Sequence, residues 1–423
     1  MNLLLLTVTD QSNHSMGKYI NLNCNYDFKN WIYGFSSINH NLSVFDYYEY
    51  IINNGPSATE HKIKKIIEKK KIDLVILPNM YFEIGVLLLN FLCKKGVKIV
   101  VTFFDDTLRF EDTTRYYIGL CNFIVTHESK YSLELYKNVN YKAYFFPNYP
   151  SIKFYEKLLG NKNNLNINLS EVCFVGANIS DRSEYIYKLK QEGVKISVFG
   201  KGWPNGELSQ KDMVQVYKNS KISLNFSKTY SDKNLKQLKG RAFEIILAGG
   251  FLLTEHNDEL LDYFEIGKEI DSFSNVEECK EKIKFYLEKS NLRKTMQVNA
   301  LKKCYSMFNF EKAWSSFINK IDNNDNSYEL SFKKKNCPEA SINNFINYNL
   351  KFFLARIKNK DFKLAIDQII FCFKELSFNS SIYSKKIWFI FFKTVLLNLL
   401  MPIRRILLQI ELFKIIKNFY LKK

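Results

Sequence analysis

Short apolar runs, several rich in β-branched side chains, alternate with longer mixed segments along most of the chain. Leu3 to Val8, Ile72 to Leu77, Val97 to Phe103 and Asn122 to Thr126 are runs of this kind, with Glu60 to Lys71 and Ile84 to Lys95 reading as helices between them. A strand buried on both faces has no polar side to alternate, so this rhythm predicts a parallel sheet covered by helices on both faces. The rhythm restarts at Glu171. Val172 to Val175, Val194 to Phe199, Lys221 to Phe226 and Phe251 to Thr254 predict strands, and Gly267 to Ile270 a short edge strand. Capping-box spacing at Asp181 and Glu184 predicts a helix from Arg182, and Ser274 and Glu277 predict another from Asn275 to Glu288. Asn257 to Phe264 and Trp314 to Ile321 also read as helical.

Polar seams divide these sets. Pro147 and Pro150 flank Asn148-Tyr149, and NKNNLNINLS follows over 161–170, which is linker chemistry. A second polar stretch covers 322–340. The predicted fold class is α/β, with one Rossmann-like domain over 1–155, a second over 168–325, and a helical basic and apolar extension over 341–423. Within the extension, Ile387 to Ile403 is strongly apolar but broken by Lys393 and Asn398, and it falls short of the roughly 20 apolar residues of a membrane span. Lys385, Lys386, Arg404 and Arg405 flank it. Two readings stay open: a basic amphipathic element on an anionic membrane surface through 385–405, or a helical unit that packs on itself or dimerises.

Charge narrows the partners. Sixty-one Lys and Arg against 43 Asp and Glu give a net charge of +18 over 423 residues. This favours anionic ligands such as nucleotides or phospholipid surfaces. The excess is spread along the chain and no RNA- or DNA-binding motif is present, so no nucleic-acid partner is expected. The eight cysteines form no C-x-x-C pair and read as reduced core residues of a cytosolic protein. MNLLLLTVTD has no basic leader and reads as a first strand. The expected location is the cytoplasm, peripheral at the inner face of the plasma membrane.

In open parallel sheets ligands bind beyond the carboxyl ends of the strands. That singles out Thr9 to Gly17, Asn79 to Phe82, Asp105 to Thr107 and His127 to Ser129. The segment with most chemistry is Gln237 to Glu255, QLKGRAFEIILAGGFLLTE. Lys239 and Arg241 stand at the start of a short predicted helix, Ala242 to Ala248, where cations and backbone N–H groups suit a pyrophosphate. Glu244, one turn in, suits ribose hydroxyls. Gly249 and Gly250 stop the helix.

This segment resembles the nucleotide-sugar half of GT-B glycosyltransferases. It is most similar to the branch related to spore-maturation-type glycosyltransferases, through Lys239, Arg241, Phe243, Glu244, Gly249, Gly250, Phe251 and Glu255. The resemblance implies two Rossmann-like domains facing across a cleft, and transfer of a sugar, expected to be a hexose, from a nucleotide-diphosphate sugar to a hydroxyl. It implies donor binding by Gly176, Arg182, Lys239, Arg241, Glu244, Gly249 and Gly250. Candidate catalytic residues are Asp105, His14 and Glu255. Asp105 would face the cleft as an acceptor ligand or general base, or else it or Asp106 caps a helix. Arg182 is either a phosphate ligand or a solvated helix arginine, and Trp203 either stacks near the base or packs. Many retaining GT-B enzymes carry a second acid with seven residues between it and the one matching Glu244; that position is Lys236 here, which leaves a sugar contact missing or supplied by Glu255. No essential metal or other cofactor is expected. The final helices, Phe310 to Ile321, would cross back to the first domain. The implied setting is surface polysaccharide or glycolipid assembly with a glycan or lipid-linked acceptor. The alternative is a catalytically silent nucleotide-sugar-binding or scaffold protein that keeps the GT-B shell.

Overall fold

The structure, a computed structural model, describes residues 1–7, 29–78, 82–160, 169–179, 181–228, 236–323 and 338–380. His14 and the apolar run 387–403 lie outside the described residues.

The first sheet contains β1 (Asn2–Thr7), β2 (Asn41–Asp46), β3 (Leu74–Pro78), β4 (Lys98–Phe103), β5 (Phe123–Thr126) and β6 (Tyr144–Phe145). They run parallel in the order β2-β1-β3-β4-β5-β6. The second contains β7 (Val172–Val175), β8 (Ile196–Phe199), β9 (Ile222–Asn225), β10 (Leu252–Glu255) and β11 (Asp271–Phe273), parallel in the order β11-β10-β9-β7-β8. Leu3 to Leu6 and Leu74 to Leu77 are fully buried, as sheets covered on both faces require. The edge strand β2 is only half-buried along its length.

Around the first sheet lie α1 (Lys29–Ser36), α2 (Tyr47–Asn54), α3 (Pro56–Lys70), α4 (Val86–Lys94) and the single turn α5 (Asp106–Arg109). Around the second lie α6 (Ile152–Gly160), α7 (Arg182–Gln191), α8 (Gln210–Asn219), α9 (Arg241–Leu247), α10 (Val276–Glu288) and α11 (Ser290–Ser306). The last three, α12 (Phe310–Asn323), α13 (Glu339–Lys358) and α14 (Phe362–Ser380), return to the first unit. Phe310, Trp314, Phe317, Ile318 and Ile321 join its core, and so do Ile342, Phe345, Ile346, Cys372 and Leu376. Part of the helical extension therefore completes the first unit's core instead of forming a core of its own. Gly34 in α1 is needed for this closure, since a Cβ there would lie 2.2 Å from the Phe310 ring.

Several local expectations shift. Asp181 makes no side-chain cap on α7; its carboxylate is drawn to the Lys228 ammonium instead. The α10 box sits one residue later, where Asn275 accepts from Glu278 N at 2.9 Å and Glu278 accepts from Ser274 N at 2.8 Å. The edge strand forms at Asp271–Phe273, after the predicted Gly267 to Ile270, and Asp258–Asp262 is a single 3-10 segment. Among the described residues six cysteines are free, and no helix is long and apolar enough to cross a membrane.

Candidate active site

Chain order brings three cations to the carboxyl end of the second sheet. Arg182 opens α7, Arg241 opens α9, and Lys239 lies two residues before it. The guanidinium carbons of Arg182 and Arg241 lie 5.7 and 5.6 Å from the centre of the Phe174 ring. Arg241 Nη1 donates to Asn225 Oδ1 at 3.3 Å, which fixes it where β7 and β9 adjoin, the point at which strand order reverses. Gly176 makes room for it, because a Cβ there would stand 2.6 Å from Arg241 Nη2. Arg182 is buried, Nη1 donates to Ala177 O at 2.9 Å, and Nε is buried with no hydrogen-bond partner. Helix α9 is only seven residues long, so the side-chain charges, more than a helix dipole, make the site.

The charges strain one another. Burial pushes the Lys239 amine down to about 7, helped by Arg182 and Arg241, while Glu128 and Asp105 pull the other way. Burial, then Arg241, pushes Arg182 down to about 9. An entering dianion would relieve both penalties, since opposite charge favours the protonated forms.

Asp105 comes from the first unit, after β4. Its side chain is open to the cleft, yet surrounding protein raises its pKa against the pull of Lys239 and Arg109. The capping alternative for this pair does not hold. Asp105 makes no side-chain cap on α5, and Asp106 is buried against Thr114 Oγ1 at 2.9 Å and Tyr136 Oη at 2.8 Å. Glu128 does the capping, accepting from Thr107 N at 2.7 Å.

Glu244 lies half-buried one turn into α9; burial raises its pKa and Arg241 opposes that. Glu255 is buried at the end of β10, accepting from Ser227 N at 3.0 Å, with Lys236 Nζ 3.3 Å from its other oxygen. Gly249 and Gly250 lie at the opposite end of α9 from the cations. Gly249 takes φ +82 as the helix ends. Gly250 packs tightly, since a Cβ would lie 3.0 Å from the Ile245 side chain and 3.1 Å from Tyr217 O. Trp203 packs, donating Nε1 to Gly176 O at 2.7 Å. His127 follows β5. It is buried, pushed down to about 4 by burial, and its Nδ1–H donates to Phe146 O at 2.8 Å.

One buried carboxylate escapes the sequence pattern. Glu259 Oε1 accepts from Ser129 Oγ at 2.6 Å and Lys130 N at 2.8 Å, while Oε2 accepts from Leu238 N at 3.0 Å. It ties the first unit to the residue preceding Lys239. Nearby, a Cβ on Gly240 would lie 2.9 Å from Asn148 O, so the inter-unit seam also runs against the start of α9. Among the described residues no group of three or more His, Cys, Asp or Glu side chains is placed to hold a metal ion.

Comparison with known proteins accords with this geometry. Residues 182–318 match a family described as glycosyl transferase-like. No curated protein sequence matches the chain. An alpha-glucosyltransferase solved with UDP and a 13-mer DNA superposes with a TM-score of 0.52 at 11% identity, covering 76% of this chain and 99% of that one. Anabaena HepE solved with UDP and glucose superposes at 0.50 and 11% identity, over 76% and 99% of the two chains. The molecule has the GT-B fold, and the stretch that is similar to the glycosyl transferase-like family, residues 182–318, carries all three cations.

Proposed function

We propose that the protein transfers a sugar from a nucleoside-diphosphate sugar to a hydroxyl acceptor. The observation that carries this reading is the convergence of Arg182, Lys239 and Arg241 at the strand-order reversal, two of them with depressed pKa values. These side chains would neutralise the diphosphate as it leaves, a task that fixed cations perform without a metal. Glu244 would hold ribose hydroxyls. Asp105 lies within reach of the Lys239 charge, and its raised pKa makes it a stronger base than an ordinary carboxylate, suited to an acceptor hydroxyl. Glu255 would act on the sugar through the Lys236 pair. Gly249 and Gly250 contribute by ending α9. The UDP and glucose in the HepE complex and the UDP in the alpha-glucosyltransferase complex support a nucleotide-sugar donor. A hexose donor and an acceptor in surface polysaccharide or glycolipid are the finer form of the proposal.

The second reading is a donor-binding scaffold without turnover. The Lys236–Glu255 pair favours it, because a cation stands where the resemblance places an acid. Incubation of the full chain with UDP-, GDP-, CMP-, ADP- and dTDP-sugars, with and without glycan and lipid acceptors, decides between them. Release of one nucleotide, slowed at least about tenfold by Asp105→Asn with donor affinity retained, supports the enzyme. Donor binding with no turnover on any acceptor supports the scaffold.

A further inference from the structure

The hairpin of α13 and α14 has two unlike sides. Its inner side is part of the first core through Phe345, Ile346, Cys372 and Leu376. The carboxylates of α14 are also turned inward. Asp367 accepts from Ser57 N at 3.2 Å at the start of α3, and buried Glu375 accepts from Val86 N at 2.5 Å at the start of α4. Around the turn the outer side carries exposed apolar residues and lysines, with Asp361 half-buried between Lys360 and Phe362.

Phe362, Ile366 and Ile370 recur every four residues of α14, so they share one face. Phe362 and Ile366 are each 57% exposed. Leu354 and Ile357 are exposed on the half of α13 that leads into the same turn. Lys351, Lys358, Lys360 and Lys363 are exposed around them. A row of large exposed apolar side chains marks a contact surface, and the lysines set the sign of what it meets. The chain continues from α14 into residues 381–423, which carry nine Lys and Arg against the single acid Glu411. Folding that segment over the lysine-bordered face would bring like charges together. An anionic bilayer satisfies both at once, since each lysine near such a surface contributes about 1 kcal/mol.

We propose that the outer face of the α13–α14 hairpin, built on Phe362, Ile366, Ile370, Leu354 and Ile357 and bordered by Lys358 and Lys363, docks on an anionic lipid surface. The apolar side chains enter the headgroup boundary and the lysines meet the phosphates. The face lies on the first unit, so docking would set the acceptor side of the molecule next to the membrane. Only that last consequence rests on the proposed sugar transfer; the lipid contact does not.

The test is co-sedimentation of the full chain with phosphatidylcholine vesicles, with and without phosphatidylglycerol. Two double variants accompany the wild type: Phe362→Glu with Ile366→Glu, and Lys358→Glu with Lys363→Glu. Thermal unfolding and UDP titration of each report folding and the donor site separately. The expected result is binding that needs phosphatidylglycerol and falls at least about tenfold in each variant, with unfolding and UDP affinity unchanged. Wild-type binding to neither vesicle, equal binding to both, or full binding by folded variants would overturn the proposal. So would a dimer that these substitutions dissociate, since a second copy would then cover the face.

Discussion

The two sheets share the strand order in which the first strand lies between the second and the third, but they are closed by different means. The second unit takes most of its covering helices from the segments between its own strands and just after them. The first is closed from the far end of the chain, by α12, α13 and α14. The cations of the site therefore sit in a locally assembled unit, while Asp105 sits in one whose core depends on distant sequence. The contrast teaches that the cleft is not the product of either unit alone. Its geometry rests on α12 crossing back and on Glu259 bridging Ser129 and Lys130 to Leu238.

Removing the crossing helix's anchor should break the comparison most severely. Trp314 is buried against Trp31, Phe35 and Phe146. Trp314→Ala is expected to cost about 3–5 kcal/mol, as truncation of a core tryptophan does. Hydrogen exchange should show β1, β3 and β4 losing protection first, with β7 and β9 following later. Simultaneous loss in both sheets would show that the units are not separately closed.

A smaller effect follows from cutting the bridge. Glu259→Ala leaves Leu238 N and Lys130 N without their acceptor and should cost about 1–3 kcal/mol. Because the bridge positions Lys239 relative to Asp105, turnover should fall more than donor affinity, and Glu259→Gln should recover part of it. Equal loss of both, with no recovery, would make the residue a packing element only.

The mildest probe is pH. With the Lys239 amine depressed to about 7, it is charged below that value and loses its proton as pH rises through it. A bound diphosphate holds the proton in place. Affinity for a UDP-sugar, whose diphosphate charge is constant near neutrality, should be full below about pH 7 and fall above it by at most about tenfold per unit. Calorimetric titration across pH 6 to 9 follows this, and Lys239→Arg should flatten the curve.

The same contrast explains what was legible in the sequence. The strands with continuous apolar runs, such as β1, β4 and β7, announce themselves, whereas β2 reads NLSVFD and is half-exposed at a sheet edge, so no run marks it. Arg241 and Lys239 are recognisable because their setting is local, a short helix ended by Gly249 at positive φ. Glu259 is not, because its partners lie 130 and 21 residues away and nothing in the spacing of DELLDYF marks a carboxylate that will be buried. The capping spacing at Asp181 was a fair local signal overridden by a distant lysine, Lys228. The tail's composition suggested a helical extension, but only packing reveals that α13 and α14 finish the first core.

The central claim is that Arg182, Lys239 and Arg241 form a diphosphate site. Its most direct test is titration of the full chain with UDP, GDP, CDP, ADP and dTDP, followed by calorimetry and thermal unfolding, for wild type and Arg241→Ala. At a hundred times its Kd, one diphosphate should stabilise the wild type by about 2.7 kcal/mol. Loss of a charge-assisted contact in the variant should weaken that binding by about 3 kcal/mol, on the order of a hundredfold. Binding of none of them to the wild type, or equal binding to both proteins, would contradict the account.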